Sequence, residues 1–362
     1  MPYRVLVVDD SVFMRKMISD MIAEHPQFTV IATAKNGIEA VELAKQLKPD
    51  VITMDVEMPE MNGLDALRII MREQPTPVVM LSSLTQEGAN ETILALEWGA
   101  VDFVRKPSGS ISLDIHKVKA LLHEKLLAAA VSRVRKLPFG TRIPESVLPV
   151  SKKQAEPAEK PSSFVPQTDK IEHLVAIGTS TGGPRALQQV LVQLPAAFKA
   201  PVLIVQHMPP NFTKSLAQRL DTVCAIRVVE AADGMQVQNG TAYIAPGGFH
   251  MTLSHDGARG YKLRITKEEL RSGHRPSVDR LFESLVSFTE LRRHIVLMTG
   301  MGSDGAGGMA ALKLSGAETT IAESEETCVV YGMPRAAVEK KCVMHVLRQQ
   351  DIPVKLVQAV MH

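Results

Sequence analysis

A serine lies at the centre of the stretch IGTSTGGP, residues 177–184, where Ser180 has the G-x-S-x-G spacing of a nucleophile elbow. A serine becomes a nucleophile only when a general base lies nearby and a carboxylate orients that base. His207 follows the apolar run VLIVQ, and Asp304 lies in the glycine-rich turn that follows the run HIVLM. We therefore expect Ser180, His207 and Asp304 to meet at the carboxyl edge of one parallel sheet as nucleophile, base and orienting carboxylate.

Each of these residues also has a simpler interpretation. Ser180 could be only the N-cap of the helix that follows it, and Asp304 could only stabilise a turn. His207 could be a packed histidine at the end of a strand, and His250 and His274 compete with it for the role of base. Only the shared position of all three candidates at strand ends favours the catalytic interpretation.

The glycines around Ser180 and the order of the three residues also carry information. Gly178, Gly182 and Gly183 permit a tight turn, and we expect the last two to leave room for a substrate. The chain order is serine, histidine, aspartate, whereas α/β-hydrolases have serine, acid, histidine. The order therefore excludes an α/β-hydrolase.

The turn around Asp304 matches a second, competing motif. Gly300, Gly302 and Gly305 have the G-x-G-x-x-G spacing of a dinucleotide site, and Glu323 follows where such a site places its ribose carboxylate. However, the charge of Asp304 inside the turn would repel a pyrophosphate, and the motif does not lie in the first strand-helix unit of its domain. The dinucleotide interpretation stays open but is disfavoured.

A second group of polar residues follows strands near the N-terminus. Asp9 and Asp10 come after RVLVV, and Asp55 ends DVITMD. Carboxylates at one rim of a parallel sheet suit a hard cation such as Mg²⁺. Ser82 and Lys106 end the next two strands and could contact an anion that forms on Asp55. Alternatively, Asp9 or Asp10 only caps the following helix.

Strand-like and helical segments alternate along the chain. Five strands and five helices alternate in the first domain, residues 1–125, which predicts a flavodoxin-like α/β fold with one parallel sheet. A linker, residues 126–169, follows and is rich in proline. The second domain, residues 170–362, is predicted to be a doubly wound α/β domain with a β-hairpin insertion. Hairpins are expected at QVQNGTAYIAPGG and at MTLSHDGARGYKLRIT.

Composition excludes several classes of function. The 362 residues include 41 Lys plus Arg and 39 Asp plus Glu, and a net charge of +2 gives no reason to expect nucleic acid or an anionic membrane as a partner. Three cysteines without C-x-x-C spacing disfavour a disulfide framework and a zinc site. No apolar stretch reaches the length of a membrane span, so we expect no membrane insertion and a cytoplasmic location.

The first 125 residues resemble a response-regulator receiver domain, through the aspartates at strand ends, Ser82 and the Lys-Pro pair that begins at residue 106. The resemblance implies that Asp55 accepts a phosphoryl group from a histidine kinase. It implies a Mg²⁺ site with these ligands and neighbours: Asp10, Asp55, the Glu57 carbonyl and Asp9. It also implies that three residues respond to phosphorylation: Ser82, Phe103 and Lys106.

The chain as a whole resembles the chemotaxis protein-glutamate methylesterase family, CheB. The motifs that carry the resemblance are IGTSTGGP, VQHMPPNFTKSLAQRL, YIAPGGFHM, RPSVDRLFESL and LMTGMGSDGAGGM. It implies that Ser180, His207 and Asp304 demethylate glutamate methyl esters of chemotaxis receptors, and that receptor glutamines are deamidated. Met301 would contribute to the oxyanion hole and Thr181 to substrate binding. No cofactor is implied for this half.

The resemblance also implies regulation, with the unphosphorylated receiver covering the esterase cleft until Asp55 is phosphorylated. Two alternatives from other classes remain at this stage. One is a receiver joined to a dinucleotide-binding enzyme, and the other is a receiver joined to a non-catalytic adaptor.

Overall fold

The structure is a computed structural model that describes residues 1–83, 85–106, 115–132, 170–257 and 260–361. Most of the predicted linker, residues 133–169, lies outside the described residues. The helix before it continues to Ala130, which is beyond the boundary expected at residue 125. The expected boundaries at 125 and 170 stay predictions.

The first sheet has five parallel strands in the order β2-β1-β3-β4-β5, and this confirms the flavodoxin-like receiver fold. A helix follows each strand along the chain. The elements are β1 (Tyr3–Val8), α1 (Val12–Ala23), β2 (Phe28–Ala34), α2 (Gly37–Leu47), β3 (Val51–Asp55), α3 (Gly63–Glu73), β4 (Val78–Ser82), α4 (Gln86–Glu97), β5 (Asp102–Arg105) and α5 (Ile115–Ala130).

Local chemistry explains where the first helix begins. The N-cap of α1 is Ser11, whose hydroxyl accepts a hydrogen bond from the backbone N–H of Met14. Asp9 Oδ1 accepts the Ser11 N–H at 3.0 Å, and Asp10 makes no capping bond to the described residues. The N-cap is therefore Ser11, and the capping interpretation of Asp9 and Asp10 is wrong.

The second domain contains a seven-stranded parallel sheet in the order β14-β13-β12-β6-β7-β9-β8. Its elements are β6 (His173–Thr179), α6 (Gly183–Leu191), β7 (Val202–Gln206), α7 (Phe212–Val223), β8 (Arg227–Glu230), β9 (Thr241–Ile244), β10 (His250–His255), β11 (Tyr261–Thr266), α8 (Val278–Ser284), β12 (Arg292–Leu297), α9 (Ala306–Leu314), β13 (Thr319–Glu323), α10 (Met333–Glu339), β14 (His345–Leu347) and α11 (Ile352–Met361). The strand order reverses around β6, as expected for a doubly wound domain.

Of the two expected hairpins, one is confirmed. Strands β10 and β11 pair antiparallel as a separate two-stranded sheet. The prediction of a hairpin at QVQNGTAYIAPGG is wrong, because β9 joins the main sheet parallel to β7 and β8. All four residues of β9 are buried, and a strand covered on both faces suits a parallel sheet better than an exposed hairpin.

The two domains share a buried apolar core. One cluster contains Leu96 and Phe103 of the first domain together with Leu187, Phe212 and Leu216 of the second. Helix α4 packs against α7 and α6 across the junction. None of the helices in the described part of the chain has both the length and the apolar character that crossing a bilayer requires.

Adjacent glycines at the start of α9 give a test of the core packing. A Cβ on Gly308 would lie 2.6 Å from Phe282 Cβ, whereas a Cβ on Gly307 would meet no atom closer than 3.4 Å. Gly308→Ala should therefore lower the free energy of unfolding by about 1–3 kcal/mol. Gly307→Ala should raise it by about 0.5–1 kcal/mol, because alanine favours the helix. Urea denaturation measures both, and shifts of the same sign would contradict the packing described here.

Candidate active site

The three residues expected to do chemistry in the second domain lie at the carboxyl ends of neighbouring strands. Ser180 follows β6 and His207 follows β7, and the register pairs Thr179 with Gln206 directly before them. The backbone N–H of His207 donates to the Thr179 carbonyl at 3.1 Å. Strand β12, which leads to Asp304, pairs with β6 on its other side. The sheet thus brings all three residues to one rim.

Asp304 is buried and its carboxylate accepts four hydrogen bonds. Its Oδ2 lies 2.8 Å from His207 Nε2 and also accepts the Val278 N–H at 2.7 Å. Its Oδ1 accepts the Ser277 hydroxyl at 2.9 Å and the Asp279 N–H at 3.0 Å. Ser277 is the N-cap of α8, so the carboxylate lies at the positive end of that helix. Sequence reasoning missed this role of α8, although the motif that contains it was noted.

These contacts keep Asp304 ionised. Burial opposes ionisation, but the hydrogen bond and charge of His207, together with the N–H groups of Asp279 and Val278, lower the pKa of Asp304 to about 2. A permanent negative charge therefore faces one nitrogen of the imidazole.

The hydrogen bond to Asp304 determines which nitrogen of His207 is free. Since the carboxylate accepts at Nε2, neutral His207 carries its proton there and its lone pair on Nδ1. Nδ1 is buried without a hydrogen-bond partner among the described residues. The competing histidines are placed differently. His250 Nε2 pairs with the Glu269 carbonyl, and His274 stacks on His207 with ring centroids 3.8 Å apart.

Burial, and then the neighbouring His207, lower the pKa of His274 to about 4. His274 is therefore a neutral ring at pH 7 that packs against His207. It does not contact Asp304 by a hydrogen bond within the described residues, so His207 is the histidine that the structure pairs with the carboxylate.

Backbone hydrogen bonds fix the position of Ser180, which is only 4% exposed. Its N–H donates to the Thr299 carbonyl at 3.0 Å, and its carbonyl accepts from Gln206 Nε2 at 2.9 Å. The N-cap of α6 is Gly182, with no side-chain cap, so the N-cap interpretation of Ser180 is wrong. The Ser180 hydroxyl forms no hydrogen bond to the residues that the structure describes, which leaves it available for chemistry.

The glycines after Ser180 do not leave room for a substrate, contrary to expectation. A Cβ on Gly182 would lie 2.6 Å from Val329 Cβ, and Gly182 has a positive φ of 77°. A Cβ on Gly183 would collide with the side chains of Gln206 and Thr179. The space beside these glycines is filled by the protein itself, so they permit close packing of the turn against its neighbours.

The turn that follows β12 passes directly beside the serine. A Cβ on Gly300 would lie 2.8 Å from Ser180 Cβ, and Gly300 is fixed by hydrogen bonds with the backbone of Val330, Gly332 and Met333. The backbone N–H of the next residue, Met301, donates to no residue that the structure describes. This arrangement agrees with an N–H that is available to a ligand at Ser180.

Thr181 is contacted by the first domain. Its hydroxyl donates to Asp102 Oδ2 at 2.5 Å, and Lys125 Nζ lies 3.0 Å from the same carboxylate oxygen and 3.4 Å from the hydroxyl. Burial alone would lower the pKa of Lys125, but the charges of Asp102 and Glu124 raise it. A buried ion pair of the first domain is therefore bonded to the residue next to Ser180, which sequence reasoning did not foresee.

Glu323 does not have the exposure that a ribose ligand needs. It is 0% exposed, and its Oε2 accepts the Thr299 N–H at 2.9 Å. Burial raises its pKa to about 7, although the Thr299 N–H and the side chains of Thr327 and Cys328 act in the opposite direction. The carboxylate is hydrogen-bonded to the backbone of the turn beside Ser180 and is not exposed to a ligand. This placement argues against a dinucleotide site.

In the first domain, Asp9, Asp10 and Asp55 form one acidic cluster whose oxygens lie within 4.8 Å of one another. Lys106 Nζ lies 2.8 Å from Asp9 Oδ2 and 2.7 Å from Asp55 Oδ2. Burial is the largest effect on Asp55 and raises its pKa to about 6, against the opposing effect of Lys106. Glu57 lines a surface cavity with Asp10, Asp55 and Lys106.

Two of the three expected switch residues, Ser82 and Phe103, lie close to the junction between the domains. Ser82 is fully buried, and its hydroxyl accepts from Thr92 of α4 at 2.7 Å. Phe103 lies in the junction between the domains, where its ring centroid is 4.4 Å from that of Phe212. Both residues thus contact elements that form the junction with the second domain.

Together, the fold and the site define a response regulator whose second domain carries a Ser, His, Asp arrangement of the serine-hydrolase type. Comparison with known proteins narrows this class. The family model described as "CheB methylesterase" matches residues 175–356, and that described as "Response regulator receiver domain" matches residues 5–116.

Similar proteins cover the whole chain. A protein-glutamate methylesterase/protein-glutamine glutaminase of Geobacillus kaustophilus is 52% identical over 99% of this chain and 98% of its own, and one of Bacillus subtilis is 47% identical over 99% and 98%. The crystal structure of the Thermotoga maritima CheB methylesterase catalytic domain is 42% identical, covers 52% of this chain and 98% of that chain, and superposes with a TM-score of 0.50. The chain belongs to the CheB methylesterase family.

The buried carboxylate of Glu323 gives a pH-dependent prediction. Its folded-state pKa of about 7 lies above the ordinary value of 4.5, so the folded state binds this proton more tightly than the unfolded state. Stability from this group is present at low pH and is lost as the pH rises from 4.5 through about 7. Between pH 5 and pH 8, the free energy of unfolding should fall by about 2–3 kcal/mol more in the wild type than in Glu323→Gln. Urea denaturation followed by circular dichroism measures this, and parallel pH dependences would contradict it.

Proposed function

We propose that this chain is a phosphorylation-regulated serine esterase that hydrolyses glutamate γ-methyl esters on chemotaxis receptors and releases methanol. We also propose that it deamidates receptor glutamines, since the same acyl chemistry applies to a side-chain amide. The observation that carries the proposal is the hydrogen bond between His207 Nε2 and Asp304 Oδ2 at the strand end beside Ser180. The names of the full-length relatives support the choice of substrate.

In this mechanism, His207 acts through Nδ1. The lone pair on Nδ1 takes the proton of the Ser180 hydroxyl as Oγ attacks the γ-carbonyl carbon of the ester. Asp304 holds the imidazole by Nε2 and stabilises the positive charge that the ring acquires. The Met301 N–H donates to the oxyanion of the tetrahedral intermediate.

The intermediate collapses when the Nδ1 proton passes to the methoxy oxygen and methanol leaves, so that an acyl ester of Ser180 remains. Water then attacks this ester with His207 again as base, and the free glutamate side chain and the Ser180 hydroxyl are restored. For a glutamine substrate the leaving group is ammonia. Thr181, next to the nucleophile, would contact the substrate once it is released from Asp102.

The acidic cluster of the first domain fits a divalent cation. Three carboxylates with oxygens this close provide the hard ligands that Mg²⁺ prefers, and exposed Asp10 gives access from solvent. Asp9, Asp10, Asp55 and the Glu57 carbonyl would hold the ion. When bound, Mg²⁺ would neutralise negative charge on a phosphoryl group during its transfer to Asp55. Lys106, already 2.7 Å from Asp55, would neutralise another oxygen of that group.

The junction between the domains supports inhibition by the unphosphorylated receiver. Ser180 and Thr181 are 4% and 1% exposed, and Asp102 occupies the Thr181 hydroxyl. Phosphorylation of Asp55 adds charge beside Lys106 and is proposed to reposition Ser82 and Phe103, which contact α4 and Phe212. A chemotaxis histidine kinase is the proposed phosphodonor. The cytoplasmic location stays a prediction.

Replacement of the nucleophile tests the proposed chemistry. Ser180→Ala should lower methanol release from methylated receptor by at least about 10³-fold, because no other hydroxyl replaces Oγ. Phosphorylation of Asp55 should be unaffected. Exposed Ser287, after the end of α8, is a matched control, and Ser287→Ala should release methanol at the wild-type rate. Methanol release that survives in Ser180→Ala would show that the nucleophile is another residue.

Removal of the receiver tests the proposed inhibition. A fragment of residues 170–362 should demethylate receptor about 5- to 150-fold faster than the unphosphorylated full chain, as expected for an interface that contributes about 1–3 kcal/mol. The same fragment with Ser180→Ala serves as the blank in the methanol assay. A fragment that is equally active or less active would contradict steric inhibition.

A further inference from the structure

The face of the second domain formed by α6 and α7 begins at the active site. Helix α6 starts three residues after Ser180, and α7 starts five residues after His207. In the structure this face, which we call the α6–α7 face, is covered by helix α4 of the receiver. Whatever displaces the receiver exposes a surface that leads directly to Ser180.

A two-point polar contact on this face joins a carboxylate of the receiver to an arginine. Glu97, at the end of α4, accepts two hydrogen bonds from Arg219 of α7: Oε1 from Nε at 2.8 Å and Oε2 from Nη2 at 3.0 Å. This two-point contact matches the planar guanidinium to a carboxylate more specifically than a single ion pair does. The Glu97 side chain is 10% exposed and the Arg219 side chain 37%, so the carboxylate lies in the junction while the guanidinium is partly open to solvent.

Outside this pair, α4 carries only negative charge and α6 carries only positive charge. Helix α4, with sequence QEGANETILALE, contains Glu87, Glu91 and Glu97 and no lysine, arginine or histidine. On the second domain, Arg185 of α6 is partly buried at the junction, and burial lowers its pKa. Arg185 forms no ion pair with any residue that the structure describes. The α6–α7 face thus binds a helix that carries only negative charge and still has one guanidinium unpaired.

We infer that the α6–α7 face is the docking surface for an acidic helix of the receptor substrate, and that α4 occupies it in place of that helix in the closed state. The inference rests on the proposed esterase function. Arg219 is then a specificity residue, which binds a carboxylate of the substrate helix after Glu97 has left. Receiver and substrate compete for the guanidinium of Arg219. The substrate helix can therefore bind there only after α4 has left.

Substitutions of the two residues in this ion pair have different expected effects on substrate preference, and this difference provides the test. Glu97→Gln and Arg219→Gln both break the contact that holds the receiver, but only the second removes a group that the substrate needs. Lys214 is a charge-matched control, because it is exposed on α7 and lies five residues before Arg219, about 140° away around the helix.

The probes are two synthetic helical peptides, each with one glutamate γ-methyl ester. The acidic peptide has glutamates four and seven residues on either side of the ester, on the same helix face, and the neutral peptide has glutamines there. Methanol release by the full chain gives kcat/KM for each peptide. The ratio of the two values cancels differences in inhibition and in the active fraction of each variant.

The wild type, Glu97→Gln and Lys214→Gln should prefer the acidic peptide by about tenfold at low salt. This preference should shrink as salt is added, because the contact is electrostatic. Arg219→Gln should lose most of the preference. Equal ratios in Arg219→Gln and Glu97→Gln, or no acidic preference in the wild type, would overturn the docking inference while the esterase proposal stands. If the wild type releases methanol from neither peptide nor from methylated receptor, the esterase proposal fails and the inference fails with it.

Discussion

The contact between buried Asp304 and His207 Nε2 is the interaction on which the rest of the site depends. A carboxylate without partners would be protonated or excluded from such a position, because burial strongly opposes its charge. The N-terminus of α8 resolves this conflict by supplying two backbone N–H groups and the Ser277 hydroxyl. The fold therefore places one helix terminus where a permanent negative charge is needed. That charge fixes the tautomer of His207, and this tautomer leaves the lone pair on Nδ1, which we propose is the base for Ser180.

A second constraint is that the receiver packs against the turn that carries Ser180 and Thr181. Among the residues that the structure describes, the receiver forms no hydrogen bond or ion pair with the side chains of Ser180, His207 or Asp304. It contacts the neighbouring residue, since Asp102 accepts the Thr181 hydroxyl and Lys125 neutralises Asp102. A buried ion pair gains little net stability, because loss of hydration offsets most of its Coulomb energy. Such a contact can hold the domains together in one geometry and still be released by a modest change elsewhere in the receiver.

Much of the fold and the site could be predicted from the sequence. Alternating strands and helices predicted both parallel sheets, because period and length distinguish these elements locally. Ser180, His207 and Asp304 could be found because residues that follow parallel strands share one rim. The sequence could not reveal contacts that depend on distant packing: the nitrogen that Asp304 selects, the helix terminus behind it, or the ion pair on Thr181. The same limit explains two errors. Parallel pairing of β9 and the crowding around Gly183 depend on segments remote in the chain.

The most direct test of the inhibition by the receiver is methanol release from methylated receptor, measured on the full chain with and without a small-molecule phosphodonor. Asp55→Asn is measured beside the wild type, because it keeps the size of the side chain but cannot accept a phosphoryl group. The phosphodonor should raise the rate of the wild type severalfold or more and leave the rate of Asp55→Asn unchanged. A rate that does not respond in the wild type, or that rises equally in both proteins, would contradict the claim that a phosphorylated receiver uncovers Ser180.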